Sequence, residues 1–201
     1  MVEKIVDYIV AIQISSGKIK QEEDSVYRYG YTLLLEKMTN IFITILICII
    51  SHEWIKIWMF LLLIIPLRSF TGGWHANKFW QCTIISNLIV ILMLITIDNI
   101  LIENKIIYVL VEVIVLFVML YIIPVQNTNK PLNTKELKKY KKISFFIWLA
   151  ECCFMLILVG YKNYTYSTLI LYAHTVTIVA VIGGKVSNMK YIKRNNRKAI
   201  Y

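Results

Sequence analysis

The sequence predicts an all-α polytopic membrane protein with about six transmembrane helices and an N-terminal amphipathic helix at the membrane interface. Hydrophobic residues make up 58% of the 201 positions, and the mean hydropathy is +0.64. A soluble domain has roughly 45–50% apolar residues, and no apolar block here has a polar face broad enough to meet water. The blocks are 32–50, 54–67, 83–97, 106–125, 143–160 and 165–183.

The N-terminal segment, residues 1–31, differs from these blocks. Residues 2–14 place apolar side chains at helical spacing and charged side chains elsewhere on the turn, which predicts an amphipathic helix lying in the interface. The apolar positions are Ile5, Val6, Ile9, Val10 and Ile12. The segment lacks the basic leader and small-residue cleavage site of a signal peptide.

Two of the central blocks are short for a membrane span. A spanning helix needs about 20 apolar residues, and the 14 residues of block 54–67 rise only about 21 Å at 1.5 Å per residue. We therefore expect polar residues of the following segment to enter the membrane with this helix. Two full spans or a re-entrant pair are both compatible with residues 54–97.

The distribution of positive charge predicts the topology. With six spans and a cytoplasmic N-terminus, the inner segments contain eighteen Lys and Arg residues, whereas the outer loops contain only Lys105 and Lys162. Cytoplasmic loops carry such an excess, so we expect both termini in the cytoplasm. We find no repeat or linker. The chain is thus predicted to be one domain, with a transmembrane bundle at 32–183 and a basic cytoplasmic tail at 184–201.

The formal net charge of +10 does not indicate a nucleic-acid partner. The basic residues lie beside apolar blocks rather than along a recognition surface, and anionic lipid headgroups attract such residues by about 1 kcal/mol each. The run "NTNKPLNTKELKKYKK", residues 127–142, fits either this positive-inside role or contact with an acidic peptide.

Cysteine positions single out one thiol. Cys48, Cys152 and Cys153 lie inside apolar blocks, where Cys acts as a small buried hydrophobic residue. Cys82 is the one cysteine in a polar segment, "RSFTGGWHANKFWQC", residues 68–82, which the topology places in the cytoplasm. A disulfide framework is not expected, and Cys82 is expected to be a reduced thiol.

The same segment contains His75, a candidate general base for Cys82. On a straight helix their Cα atoms would be about 10.5 Å apart, so the chain must bend if they form a pair. Gly72 and Gly73 permit positive φ, and Asn77 is a good N-cap for a helix entering the third block. We expect no zinc site, because two ligands do not complete one.

Arg68, Gly73, His75-Ala76 and Cys82 form the pattern R-x4-G-x-H-A-x5-C between apolar spans. This pattern resembles the accessory gene regulator B (AgrB) family of bacterial membrane peptidases. The six-span, basic-inside layout extends the resemblance over most of the chain.

The resemblance implies a cysteine endopeptidase that processes a quorum-sensing propeptide at the bacterial cell membrane. Cys82 would attack a peptide bond with His75 as base and release the C-terminal tail. The remaining fragment would form a thioester with Cys82, and a thiol or hydroxyl of that fragment would then close a thiolactone or lactone ring. The expected substrate has an amphipathic N-terminus and an acidic tail.

Supporting roles follow from the resemblance or from proximity. Arg68 would hold the substrate carbonyl or tail, Gly72 and Gly73 would let backbone donors approach an oxyanion, and Lys130 would receive the acidic tail. A homodimer is implied, and no cofactor. Candidates for a third catalytic residue are Asn77, Ser86 and Asn87.

The alternative hypothesis is a non-enzymatic function, either as a membrane transporter or as a scaffold for peptide signalling. His174, Glu112 and Glu151 lie inside apolar blocks, where ionisable groups are costly and often functional. They would matter most in this reading. Polar contacts between helices or subunits are the structural alternative for the two carboxylates.

Overall fold

The computed structural model of the chain describes residues 2–74, 79–100, 102, 104–125 and 133–198, which form seven α-helices and no strand. The predicted all-α fold is confirmed. A short 3-10 helix, Gln21–Glu23, precedes the second helix. The helices are α1 Val2–Ser15, α2 Asp24–Ser51, α3 Trp54–Thr71, α4 Phe79–Asn99, α5 Lys105–Tyr121, α6 Thr134–Gly160 and α7 Tyr164–Lys198.

Five of the described helices, α2, α3, α4, α6 and α7, are long and apolar enough to cross a membrane. The 17 residues of α5 rise about 26 Å and lie at the lower limit of the spanning range of about 17 to 25 residues. The predicted six blocks therefore correspond to these five helices together with α5.

The third helix extends beyond its apolar block, as its length required. It continues through Arg68 and Ser69 to Thr71 and ends at Gly72, whose φ is 68°. The Gly72 N–H donates to the carbonyl oxygen of Arg68 at 3.1 Å, which completes the last turn. Polar residues of the motif are thus part of a candidate spanning helix.

The sixth and seventh helices are longer than the blocks that predicted them. Asn133 and Glu136 form a reciprocal capping box, with both hydrogen bonds at 3.0 Å, and this starts α6 inside the predicted basic loop. α7 continues to Lys198 through most of the predicted tail. No Pro interrupts it there, and basic residues are favourable near a helix C-terminus.

One compact unit contains α1, α2 and the first half of α4 up to Leu88. α1 packs on α2 through Val6 and Val10, which are buried, whereas Ile5 and Ile12 are exposed. Hydrogen bonds between Gln13 and Tyr31 tie the two helices together. The helical prediction for α1 is therefore correct, and Val6 and Val10 lie on its buried side.

The other unit contains α3, the second half of α4, and α5 to α7. α7 contacts α3, α5 and α6 and is the central helix of this unit. Large apolar side chains from all four helices fill the core between them. They include Leu67, Val115, Met119, Trp148, Ile178 and Val181.

Candidate functional site

The structure describes residues 68–74 and 79–82 of the motif. His75 and Asn77 lie outside the described residues, as does Lys130, so their predicted roles remain predictions. The described segments before and after His75 belong to different structural elements. Residues 68–74 are the end of α3 and a tight turn, whereas Cys82 lies on α4.

The turn after α3 is held against the chain that follows α5. The Val125 N–H donates to the Thr71 carbonyl oxygen at 2.9 Å, and Gly72 and Val125 form an isolated parallel bridge. Gly72 has φ 68°, and a Cβ atom placed on it would overlap the Val125 carbonyl oxygen. Glycine is required here both by its backbone conformation and by this close approach.

The next two residues lie against α7. Gly73 has φ 131°, and a Cβ atom on it would be 2.8 Å from the Ala180 carbonyl oxygen. The Trp74 N–H donates to that same oxygen at 2.7 Å. Gly184 is buried one turn further along α7, where a Cβ atom would be 2.5 Å from the carbonyl carbon of Gly73.

Gly184 was not identified in the sequence analysis. Its signal is the pair Gly183-Gly184 at the end of an apolar block, because glycine is unfavourable inside a helix and its presence there often has a packing reason. The contact shows which segment approaches: the one that leads directly to His75.

Arg68 binds the same segment from the α3 side. Its Nη2 donates to the Trp74 carbonyl oxygen at 2.6 Å. Arg68 is thus a donor to a carbonyl of its own chain, and its predicted contact with the substrate carbonyl or tail stays a prediction. Both backbone polar groups of Trp74 are hydrogen-bonded, the N–H to α7 and the carbonyl to Arg68.

Lysine residues of α6 lie near the same end of this unit. Phe70 of the motif packs edge-to-face on Tyr140, with ring centroids 5.5 Å apart. Lys141 donates to the Leu120 carbonyl oxygen near the C-terminus of α5 at 2.5 Å, a favourable place for a cation. A groove of about 310 Å³ is lined by Met119, Leu120, Lys138, Lys141, Lys142 and Phe145.

Cys82 is the fourth residue of α4, half-buried, with its thiol not in a disulfide. The same half of α4 is tied to α2 through Asn87, which is buried. The Asn87 amide donates to Asn40 at 3.0 Å and to the Thr83 carbonyl oxygen at 2.8 Å. Asn87, a candidate third catalytic residue, therefore has its amide committed to the contact with α2.

The other three cysteines are likewise not in a disulfide. Cys48 is buried in α2, and Cys152 is half-buried against the core of its unit. Cys153 is exposed on α6, so the expectation that it would be a buried hydrophobic residue is wrong. It faces outward because its neighbours Glu151 and Cys152 occupy the inward side of the turn.

The three ionisable residues of the non-enzymatic reading come together inside one unit. His174 is fully buried, and its Nδ1 lies 2.6 Å from Glu112 Oε1 while its Nε2 lies 2.9 Å from Glu151 Oε2. The Trp148 indole N–H donates to Glu112 Oε2 at 2.8 Å. The two carboxylates therefore make the interhelical contacts that the sequence left as one alternative.

Comparison with known proteins identifies the family. Residues 2–181, nearly the whole chain, match the family model described as Accessory gene regulator B. No curated protein and no solved structure matches the chain. The helices that could cross a membrane make it an integral membrane protein. The chain belongs to the accessory gene regulator B (AgrB) family of membrane proteins, which take part in quorum-sensing peptide processing.

Proposed function

We propose that this protein is a membrane cysteine endopeptidase that cleaves and cyclises a quorum-sensing propeptide. The Cys82 sulfur attacks the scissile carbonyl carbon, and His75 takes the thiol proton and delivers it to the departing amine of the tail. The C–N bond breaks, and the N-terminal fragment remains on Cys82 as a thioester. A thiol or hydroxyl of the fragment then attacks this thioester, which closes the ring and returns the proton to Cys82.

The observation that carries the proposal is that the backbone N–H and carbonyl of Trp74 are both held by hydrogen bonds. A general base must lie within hydrogen-bond reach of the proton it takes, about 2.6–3.2 Å, and misplacement by about 1 Å can cost a hundredfold in rate. His75 follows directly after a residue whose N–H is bound to Ala180 and whose carbonyl is bound to Arg68. Such anchoring is what a positioned base needs.

The placement of Cys82 also supports the proposal. It lies near the N-terminus of a helix that is secured to α2 through Asn87, and a catalytic side chain is positioned better on a helix than on a loop. The positive end of a helix dipole favours negative charge near the helix N-terminus. The reaction further requires the His75 imidazole within about 3 Å of the Cys82 sulfur, which is a prediction of the proposal.

In this scheme Arg68, Gly72 and Gly73 mainly hold the turn before His75 in place. The Gly72 N–H is bonded to Arg68, so it is not a free donor for an oxyanion. Gly73 remains a candidate for that task. We infer that the main contribution of the pair is to let the turn lie against α7 and Val125, and that Arg68 supports the turn rather than the substrate tail.

The acidic tail of the substrate would bind at the basic end of α6. Lys138, Lys141 and Lys142 line a groove beside apolar side chains of α5, and Lys130 precedes them in sequence. Carboxylates of the tail would pair with these cations while the apolar wall contacts its side chains. By the positive-inside rule this end faces the cytoplasm of the bacterial cell, where the propeptide is made.

Mass spectrometry after coexpression with a candidate propeptide tests the function. Native protein should give a cleaved tail, a cyclic product and an acyl adduct on Cys82. Cys82→Ala should abolish all three, whereas Cys152→Ala, a matched control at a second cysteine outside any disulfide, should retain them. Processing that persists without Cys82 would exclude the proposed mechanism and favour a transporter or scaffold.

A further inference from the structure

The cluster of Glu112, Glu151 and His174 is a built site that the proposed peptide chemistry does not use. Each residue lies near the middle of its apolar block, on α5, α6 and α7 respectively. The exposed fractions are 0% for His174, 6% for Glu112 and 9% for Glu151. Ionisable residues at such depth are expensive, and they mark functional sites more often than structural ones.

The distances within the cluster determine how many protons it must contain. Both imidazole nitrogens are within hydrogen-bond distance of a carboxylate oxygen. A proton must lie between each nitrogen and its oxygen, because two lone pairs cannot face each other at such distances. These two bridging protons leave the three side chains with a net charge of −1, whichever partner is drawn as carrying each proton.

The surrounding helices supply no cation to balance that charge in the contacts described for the cluster. α3 also packs against α7, and its two cations are engaged elsewhere. Lys56 pairs with Glu53 and Asp98, and Arg68 donates to the Trp74 carbonyl. On α7 itself the next cation, Lys185, is exposed and three turns beyond His174.

A metal ion does not fit this site. Both ring nitrogens of His174 already face carboxylate oxygens, so neither offers a lone pair to a metal. No group of three or more ligand side chains with metal-binding geometry was found in the part of the chain that the structure describes. A further proton needs no set of ligands and could neutralise the charge.

We propose that this cluster is an intramembrane proton-binding site, with Glu151 as the residue that takes the third proton. The Trp148 indole can only donate, so Glu112 Oε2 is an acceptor, and Glu112 Oε1 faces His174. Both Glu112 oxygens are therefore occupied. Glu151 has one oxygen outside these contacts, and a proton there makes the cluster neutral: a Glu112 carboxylate, an imidazolium and a Glu151 carboxylic acid.

Proton occupancy then controls how α5, α6 and α7 are held together. With the proton bound, the buried cluster is neutral, and its hydrogen bonds join the three helices. Without it, a net negative charge is left in an apolar interior, which favours separation of the helices or entry of water. This inference is independent of the proposed peptidase function, since none of the three residues belongs to the motif.

Infrared spectroscopy of the protein in lipid nanodiscs tests the proposal. At neutral pH the native protein should show the C=O band of one buried carboxylic acid, which shifts in D2O. Glu151→Gln should lose the band while remaining folded, because its amide oxygen can accept the His174 N–H as the acid does. Glu136→Gln, at the exposed capping glutamate of α6, should retain it.

Two results would overturn the inference. Absence of the band in the native protein at neutral pH would mean that the cluster is a permanently charged ion pair holding two protons, and this measurement needs no variant. A band that persists in Glu151→Gln, with native helix content by circular dichroism, would place the proton elsewhere.

Discussion

Substituting Gly184 with Ala should push the segment before His75 away from α7 and lower the stability of the protein. The added Cβ atom would lie 2.5 Å from the carbonyl carbon of Gly73 and 2.6 Å from the nitrogen of Trp74. Both are backbone atoms and cannot rotate away as the end of a side chain can. The segment that leads to His75 must therefore move away from α7.

The size of the effect follows from three contributions. Overpacking costs about 1–3 kcal/mol, and loss of the hydrogen bond from Trp74 to Ala180 costs about 0.5–1.5 kcal/mol. The higher helix preference of Ala returns about 0.5–1 kcal/mol. The net loss of unfolding free energy is about 2 kcal/mol. For a chain of this size, that loss lowers the midpoint temperature of thermal unfolding by about 4–8 °C.

The neighbouring glycine provides a matched control. A Cβ atom on Gly183 would be 3.5 Å from the Trp74 Cβ atom, an ordinary contact. Gly183→Ala should therefore leave stability unchanged or raise it by up to about 1 kcal/mol. The two variants differ by one position on the same helix and add the same methyl group.

Thermal unfolding in nanodiscs and the rate of propeptide cleavage provide the readouts. Gly184→Ala should unfold earlier and cleave about a hundredfold more slowly, since a displacement near 1 Å has that effect on a catalytic group. Gly183→Ala should behave as the native protein in both assays. Equal midpoints and equal rates for the two variants would refute the close contact between α7 and the motif.

Two further substitutions test other contacts. Trp148→Phe removes the N–H that binds Glu112 and should cost about 1.5–3 kcal/mol, the value for a hydrogen bond to a charged group. Thermal unfolding measures this cost, and an unchanged midpoint temperature would contradict a stabilising hydrogen bond between Trp148 and Glu112. Asn87→Ala leaves the Asn40 amide oxygen without this donor and should lower the unfolding free energy by about 1–3 kcal/mol. Hydrogen exchange of the α4 backbone amides should then accelerate. An exchange rate equal to that of the native protein would mean that the Asn87–Asn40 hydrogen bond does not secure the helix.

The sequence predicted the helices well because apolar blocks are a direct signal. It also indicated that α3 must extend into the motif, since 14 residues are too few to cross a membrane. The early start of α6 was encoded in Asn133 and Glu136, but the surrounding lysines suggested a loop. Charge shows which side of the membrane a segment occupies, and not whether it is helical.

Contacts between segments that are distant in the sequence could not be predicted in the same way. The pairing of Val125 with Thr71 and the contact of Gly184 with Gly73 depend on which helices are neighbours, and hydrophobic periodicity alone does not reveal this. His174, Glu112 and Glu151 were each recognisable as unusual, yet their association required the packing of three helices. The position of Cys82 at the start of α4 follows from where the third block begins.

The seventh helix constrains the length of the chain between two of its contacts. His174 binds the buried carboxylates, and Ala180, six residues later, accepts the Trp74 N–H. A single inserted or deleted residue between them would rotate one contact by about 100° relative to the other and shift it by 1.5 Å along the axis. The five residues between the two contacts, 175–179, should thus tolerate changes of side chain far better than changes of number, although the helix as such would accept either.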